Sequence, residues 1–308
     1  MNGILVIDKP AEWTSHDVIA KLRGVLKQKR IGHGGTLDPM ATGVLPVFIG
    51  RATRAAEFCE NADKEYIAQL LLGVVTDTQD ITGNVLSKNE VTVTIDDLIA
   101  ILPQFTGAVK QVPPMYSAIK KDGQKLYELA RRGIEIERNA RDIFISGLSV
   151  TQGDNPCGGS GSSVSSYFSW VDSSYTLSIT CSKGTYIRTL CHDIGAALGC
   201  GGTLSSLRRT RAGAYAIDMA HTLDEVIEAS LSDTVNSLLL PVDSIFPDYP
   251  SIFLDYPEVK KAKNGSECRT RDRTSDGKYK VYDPTGDFLL LGEVKNNRVK
   301  TIKSFFEV

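Results

Sequence analysis

An α+β fold is predicted for this chain from three observations. Segments with strand periodicity and segments with helix periodicity follow one another without the regular alternation that builds a parallel sheet. Beyond about residue 247 the pattern shifts to short apolar runs separated by turn sequences, as in a small β-rich module. At 308 residues the chain exceeds one typical domain, so a larger body with an appended module is the natural division. The expected boundaries are 1–247 for the body and 248–308 for the module.

Taken in order, residues 3–7 read as a short buried strand and residues 15–29 as a helix with Val18, Leu22, Val25 and Leu26 on one stripe. The stretch 32–43 holds too much glycine for either regular element, and 44–49 resumes as a strand, so Asp38 falls on a loop. Residues 66–72 are a strand, 95–102 a helix, and 115–119 a strand ending in the turn Lys121-Asp122-Gly123. A short helix over 125–132 stops at Gly133. Strands are expected at 141–150 and 175–181, then a helix at 186–198 with Gly199 just past its end. Between those strands, 152–174 contains the low-complexity run Gly158-Gly159-Ser160-Gly161-Ser162-Ser163, expected to be a flexible, enlarged surface hairpin loop. In the terminal module the apolar runs 279–282, 288–291 and 299–302 are separated by Asp283-Pro284-Thr285-Gly286 and Lys295-Asn296-Asn297 turns. No repeat of solenoid period is present.

Composition excludes several classes. No apolar run is long enough to cross a bilayer as a helix, and the N-terminal residues carry no basic leader with a cleavable apolar region. The six cysteines form no Cys-x-x-Cys pair, so reduced thiols and a cytoplasmic location are expected rather than a zinc ribbon or a disulfide framework. The net charge of −2 is low for a nucleic-acid binder, but the positive charges are grouped. Lys21, Arg23, Lys27, Lys29 and Arg30 form one cluster, Lys120, Lys121, Lys125, Arg131 and Arg132 a second, and Arg208, Arg209 and Arg211 a third.

Asp38 precedes Pro39 after a pair of glycines, and an Asp-Pro in a glycine loop is usually turn chemistry alone. His33, in the same loop, is by itself an ordinary loop histidine. The whole stretch tells more: Gly32-His33-Gly34-Gly35-Thr36-Leu37-Asp38-Pro39, followed by Ala41-Thr42-Gly43, closely resembles the signature loop of the TruB family of bacterial tRNA pseudouridine-55 synthases. Lys9-Pro10 is similar to that family's N-terminal Lys-Pro motif, and Lys64-Glu65-Tyr66 to its active-site tyrosine strand. Gly73, Thr76, Thr78, Asp80 and Gly83 follow its next loop. Pro113-Pro114-Met115-Tyr116-Ser117-Ala118-Ile119-Lys120 and Lys183-Gly184-Thr185-Tyr186-Ile187-Arg188-Thr189 resemble two further motifs, in the family's order. These motifs span most of residues 3–213.

The resemblance implies a pseudouridine synthase fold, with a mixed, largely antiparallel central sheet flanked by helices and a small C-terminal β-barrel related to PUA domains. It implies that a T-loop uridine of tRNA becomes pseudouridine, with Asp38 as nucleophile. That exchange of a C–N for a C–C glycosidic bond at one ribose involves no redox change. It requires no nicotinamide, metal or nucleotide cofactor, only a carboxylate that attacks sugar or base and a closed pocket in which the detached uracil can turn. Arg188 is then the guanidinium that keeps the desolvated carboxylate ionised, because burial alone disfavours the charged form. Tyr66 stacks on the uracil with its hydroxyl placed for proton transfer, and Tyr186 contacts the target nucleotide. Leu207 lines the base pocket, Lys9 belongs to the substrate-binding set, and His33 occupies the space left by the flipped base. The basic clusters track phosphates of the T stem-loop. A monomer is expected.

The insertion at 152–174 matches nothing in the family pattern. Two other functions share some of these features: a pseudouridine synthase for a different structured RNA, and a tRNA-folding chaperone without activity, against which intact Asp38, Tyr66 and Arg188 count. A metal-dependent hydrolase built on His33, Asp38 and His192 lacks ligand spacing.

Overall fold

A computed structural model describes residues 1–121, 123–151 and 173–306. Asp122 of the expected turn, and residues 152–172 of the expected insertion loop, lie outside the described residues. The chain divides into two compact units, one comprising Met1–Asp38, Val44–Asn61 and Ala212–Val308, the other Pro39–Gly43 and Ala62–Arg211.

The first unit starts with strand β1 (Gly3–Lys9), buried along almost its whole length as an apolar run of this kind must be. Helix α1 (Ser15–Val25) follows, its N-terminus closed by a reciprocal Thr14–Asp17 capping box. It buries Val18, Ile19 and Leu22, while Val25 and Leu26 are only half-buried. The helix ends short of the expected residue 29 because Lys27 takes a left-handed conformation with φ of 49°. Strand β2 (Ile31–His33) pairs antiparallel with β3 (Thr42–Ile49), Ile31 opposite Ile49, and β1 also neighbours β3. Helix α2 (Ala56–Asn61) closes this portion.

The second unit is built on a sheet. Its first strand is β4 (Lys64–Leu72), followed by a small hairpin of β5 (Val74–Thr76) and β6 (Val85–Lys88). Helix α3 (Ile95–Ile101) leads to β7 (Gly107–Gln111). Residues 115–119, expected as a strand, are instead a turn in which Ser117 N–H donates to the Met115 carbonyl. The two preceding prolines provide no donors for a ladder. Met115 is buried against Leu126 and Leu129. A two-residue pairing of β8 (Lys120–Lys121) with β9 (Gln124–Lys125) precedes helix α4 (Leu126–Ala130). Strands β10 (Arg141–Thr151) and β11 (Ser174–Cys181) are antiparallel neighbours. Helix α5 (Ile187–Ala197) then leads through Gly199, at φ of 78°, into β12 (Gly202–Ala212).

The strand order is β12-β4-β11-β10-β7. The pairings of β4 with β11, β11 with β10 and β10 with β7 are antiparallel, whereas Thr42 and Gly43 run parallel to Arg208 and Arg209. A mixed, largely antiparallel sheet with helices is the predicted architecture. At Gly43 the parallel approach is very close: a Cβ would lie 2.2 Å from the Arg209 carbonyl oxygen, and φ is +98°. No L side chain fits there.

After Ala212 the chain returns to the first unit through β13 (Tyr215–Ala216) and helix α6 (Leu223–Leu231). The remaining residues form β14 (Ser251–Phe253), α7 (Tyr256–Lys263), β15 (Cys268–Arg269), β16 (Gly277–Tyr282), β17 (Phe288–Lys295) and β18 (Arg298–Ser304). The strands make a curled half-barrel in the order β14-β16-β17-β18-β15. Val281, Leu290, Val294 and Val299 fill its interior. Phe288 and Phe305 stack at 5.2 Å and reach Phe246, which meets Phe58 edge-on at 5.0 Å, so aromatic packing ties the half-barrel to the rest of this unit.

Among the described residues Cys59, Cys181, Cys191, Cys200 and Cys268 are buried thiols outside any disulfide. Burial pushes the Cys181 thiol up to about 11 from an ordinary 9.0. The stability contributed by keeping it neutral is complete below pH 9.0 and is lost as pH rises through about 11. Iodoacetamide labelling followed by peptide mass spectrometry at pH 8 is expected to modify Cys181 roughly a hundredfold more slowly in the folded protein than in urea. Gly43→Ala is expected to cost about 3 kcal/mol and to lower the melting temperature by roughly 10 °C in calorimetry.

Candidate active site

In the first unit the glycine-rich loop leaves β2 at His33 and is held down at successive points. Gly34 N–H donates to the Pro46 carbonyl at 2.9 Å, and a Cβ at Gly34 would lie 2.8 Å from both Cys59 and the Phe48 ring. Only glycine allows that approach. Further along, Leu37 is buried and its N–H donates to the Ser15 hydroxyl at 2.9 Å. The same hydroxyl donates to the Leu37 carbonyl at 3.3 Å. Asp38 comes next, half-buried, and Pro39 is exposed. His33 is half-buried and faces His16 edge-on, with ring centroids 6.0 Å apart.

Lys9, at the end of β1, is fully buried. Its ammonium donates to the carbonyls of Pro10 at 2.8 Å and Trp13 at 2.6 Å. Those bonds fix the turn that feeds Thr14 and Ser15 into α1. A charge removed from water is tolerable only when such acceptors surround it.

In the second unit Tyr66 lies on β4 opposite Ile179 of β11 and is half-buried. Leu207 is buried on β12, the strand next to β4. Tyr186 and Arg188 come from the start of α5, with Tyr186 at the N-cap. The capping residue makes no side-chain cap bond; its backbone is clamped by Gln111, whose Oε1 accepts from Tyr186 N–H at 2.8 Å while Nε2 donates to Tyr186 O at 3.0 Å. Arg188 is 5% exposed. Its guanidinium donates to the Thr78 carbonyl at 3.2 Å and the Tyr116 carbonyl at 2.9 Å, and Nη1 stands 3.6 Å from Asp80 Oδ2. The other oxygen of Asp80 accepts from the Thr78 hydroxyl at 2.8 Å, the Thr82 N–H at 3.0 Å and the Thr82 hydroxyl. Beside it, Thr189 donates to Gln79 Oε1 at 2.7 Å.

The residues expected from the sequence therefore fall into two groups: Asp38, His33 and Lys9 in the first unit, Tyr66, Tyr186, Arg188 and Leu207 in the second. Sequence reasoning did not single out Ser15, Gln111 or Asp80 as the groups that hold Leu37, Tyr186 and Arg188. Asp80 stood in a quoted motif, but nothing local ties it to an arginine in a distant motif. The third basic cluster, expected with the others to track phosphates, is largely engaged within the protein. Arg209 is 1% exposed, Arg208 reaches Thr42 Oγ1 at 3.3 Å, and Arg211 pairs with Glu65 at 2.7 Å. In contrast, Lys21, Arg23, Lys27, Lys29 and Arg30 are exposed, as are Lys120, Lys121, Arg131 and Arg132. Among the described residues no group of His, Cys, Asp and Glu has the arrangement of a metal site, and no helix is long and apolar enough to cross a membrane.

Comparison with known proteins gives this geometry a context. The TruB family pseudouridylate synthase N-terminal domain matches residues 23–187, and the tRNA pseudouridylate synthase B C-terminal domain matches residues 188–247. A tRNA pseudouridine synthase B from Syntrophomonas wolfei is 41% identical over 305 residues, covering 98% of this chain and 96% of the relative. One from Clostridium kluyveri is 40% identical over 309 residues, covering 99% of this chain and all of the relative. Among solved structures, a chain of a Cbf5–Nop10–Gar1 complex superimposes with a TM-score of 0.71 at 24% identity, covering 99% of this chain and 85% of that one. At that identity the likeness establishes the fold.

The Asp80–Arg188 pair is internal to one unit and both side chains are buried, so removing one partner strands the other. Asp80→Ala is expected to cost about 3–5 kcal/mol in urea denaturation, and Asp80→Asn, which retains an acceptor, clearly less. Equal and small losses from both variants would show that the charge is not needed there.

Proposed function

Because the chain belongs to the TruB family of pseudouridylate synthases, we propose that it isomerises a single tRNA uridine, at position 55 in the T loop, to pseudouridine. The observation that carries this is similarity of about 40% over nearly the whole chain to relatives named tRNA pseudouridine synthase B. It is supported by the motifs around Lys9, Asp38, Tyr66, Tyr116 and Arg188 standing in the family's order.

On this reading a stacked T-loop uridine is extruded, and His33 fills the gap it leaves. Tyr66 stacks on the extruded uracil, while Tyr186 and Leu207 line its pocket. Asp38 attacks covalently, the N1–C1′ bond breaks and the uracil turns within the pocket; C5 then bonds to C1′, the bond to Asp38 breaks to return the carboxylate, and the proton lost from C5 is balanced by one gained at N1. Tyr66, with its hydroxyl, takes part in that proton transfer. Arg188 supplies the positive charge that keeps the attacking carboxylate ionised away from water. Its fixed setting supports the role, since a guanidinium already held by Asp80 and two carbonyls needs no reorganisation when substrate binds. Lys9 contributes through the turn it holds, its ammonium being bonded to backbone. The exposed lysines and arginines of the first two clusters bind phosphates, and residues 248–308 form an RNA-binding module outside the T arm. The enzyme acts as a cytoplasmic monomer without metal or other cofactor.

Tritium release from 5-labelled uridine in a T-arm minihelix measures the reaction directly. Asp38→Asn is expected to abolish release while tRNA binding stays within a few-fold of wild type; full turnover by this variant would refute the nucleophile assignment. Arg188→Met, assayed where it remains folded, is expected to lose on the order of a hundredfold or more in turnover and much less in binding. Equal losses in both would reduce Arg188 to a phosphate contact. A modification map of total tRNA with and without the protein identifies the uridine, and conversion elsewhere than the T loop would redirect the substrate.

A further inference from the structure

We infer that Ser15 is a positioning residue for the reaction, holding the Asp38 carboxylate in its attacking geometry through the peptide groups of Leu37. The inference rests on the reading of Asp38 as the nucleophile. A loop keeps one conformation when its buried backbone groups are bonded to something rigid. Here one hydroxyl meets both polar groups of the residue before Asp38, accepting from Leu37 N–H at 2.9 Å and donating to Leu37 O at 3.3 Å. Ser15 is 22 residues away in sequence and 1% exposed, so water does not readily stand in for it.

The serine is itself immobilised. It is the first residue of α1, inside the Thr14–Asp17 capping box, and the turn before it is held by Lys9 through Pro10 and Trp13. A rigid helix terminus is thereby coupled to the loop at the residue adjoining Asp38. Alanine at 15 would leave a buried donor and a buried acceptor at Leu37 without that partner, and the loop would shift to satisfy them. Displacement of a reacting group by about 1 Å is enough to lose on the order of a hundredfold in rate. Because the Ser15 hydroxyl points at protein backbone, RNA binding has no direct stake in it.

The test compares Ser15→Ala, Ser15→Thr and Asp38→Asn in the full-length protein. Single-turnover tritium release, steady-state kinetics, melting temperature and hydrogen exchange at Leu37 N–H are read for each. Ser15→Ala is expected to lose roughly 10- to 100-fold in kcat with KM for the minihelix within about twofold, and to exchange the Leu37 amide faster. Ser15→Thr, which restores the hydroxyl, is expected to recover most of kcat. The inference is overturned if Ser15→Ala keeps full kcat while Asp38→Asn is inactive, which leaves the nucleophile intact as a reading. It is equally overturned if kcat, KM and melting temperature all fall together with no recovery in Ser15→Thr. Full turnover by Asp38→Asn removes the reading beneath it.

Discussion

A guanidinium does not shed its proton to escape burial, so a chain that buries Arg188 must supply compensating charge and acceptors wherever that side chain ends up. The second unit meets this demand from three separate segments. The 76–83 loop contributes the Asp80 carboxylate and the Thr78 carbonyl, the turn after Pro113-Pro114 contributes the Tyr116 carbonyl, and α5 carries the arginine itself. Each contributor is fixed in turn. Asp80 is held by Thr78 and Thr82, and Thr76 bonds both the Asp80 carbonyl and Thr203 on β12. The charge thus organises irregular backbone that neither hydrophobic periodicity nor turn propensity specifies, and it explains why these loops adopt one arrangement.

The same logic recurs elsewhere, with a buried charge at Lys9 and without one at Ser15 and Gln111. Ser15 holds Leu37, Gln111 holds Tyr186, and Lys9 holds Pro10 and Trp13, in each case a side chain bonding to backbone rather than to another side chain. Glycine does the complementary work. Gly34 lets the loop lie on Phe48 and Cys59, and Gly43 lets β3 approach Arg209. Polar anchors fix position, and missing side chains permit the approach that the anchors then secure. Loops built in this way lose geometry before they lose stability, because an anchor contributes about 1 kcal/mol, and where such a loop carries a reacting group a small displacement changes rate steeply.

Elements whose apolar residues keep one period were legible in the sequence. β1, β4, β10, β11 and α5 lie within one or two residues of their expected ends, and Gly133 and Gly199 stop their helices at positive φ. β12 was not, because Gly-Thr-Leu-Ser-Ser-Leu-Arg-Arg-Thr-Arg-Ala has the composition of a solvated surface although it neighbours β4 in the sheet. Its strand character comes from tertiary partners: Glu65 for Arg211, Thr42 for Arg208, and burial for Arg209. Residues 115–119 erred in the other direction, since an apolar alternation following two prolines packs as a turn onto Leu126 and Leu129. The candidate site was legible as residue types in motif order; the groups that hold those residues were not, because a hydrogen bond from Ser15 to Leu37 or from Gln111 to Tyr186 leaves no periodic trace.

The fate of the third basic cluster bears on how a chain of net charge −2 serves an RNA substrate. Affinity for a polyanion depends on cations that are exposed and able to replace condensed counterions, not on the sum over the sequence. Arg209 is withdrawn from that pool by burial and Arg211 by Glu65, whose hydrogen bond also raises the arginine's pKa. What remains available is Lys21, Arg23, Lys27, Lys29 and Arg30 near α1, together with Lys120, Lys121, Arg131 and Arg132 near α4. On the reading proposed above, each of these exposed groups offers phosphate a local site within its own unit. Cations on phosphate carry no sequence information, so on the same reading base recognition falls to aromatic and hydrogen-bonding groups.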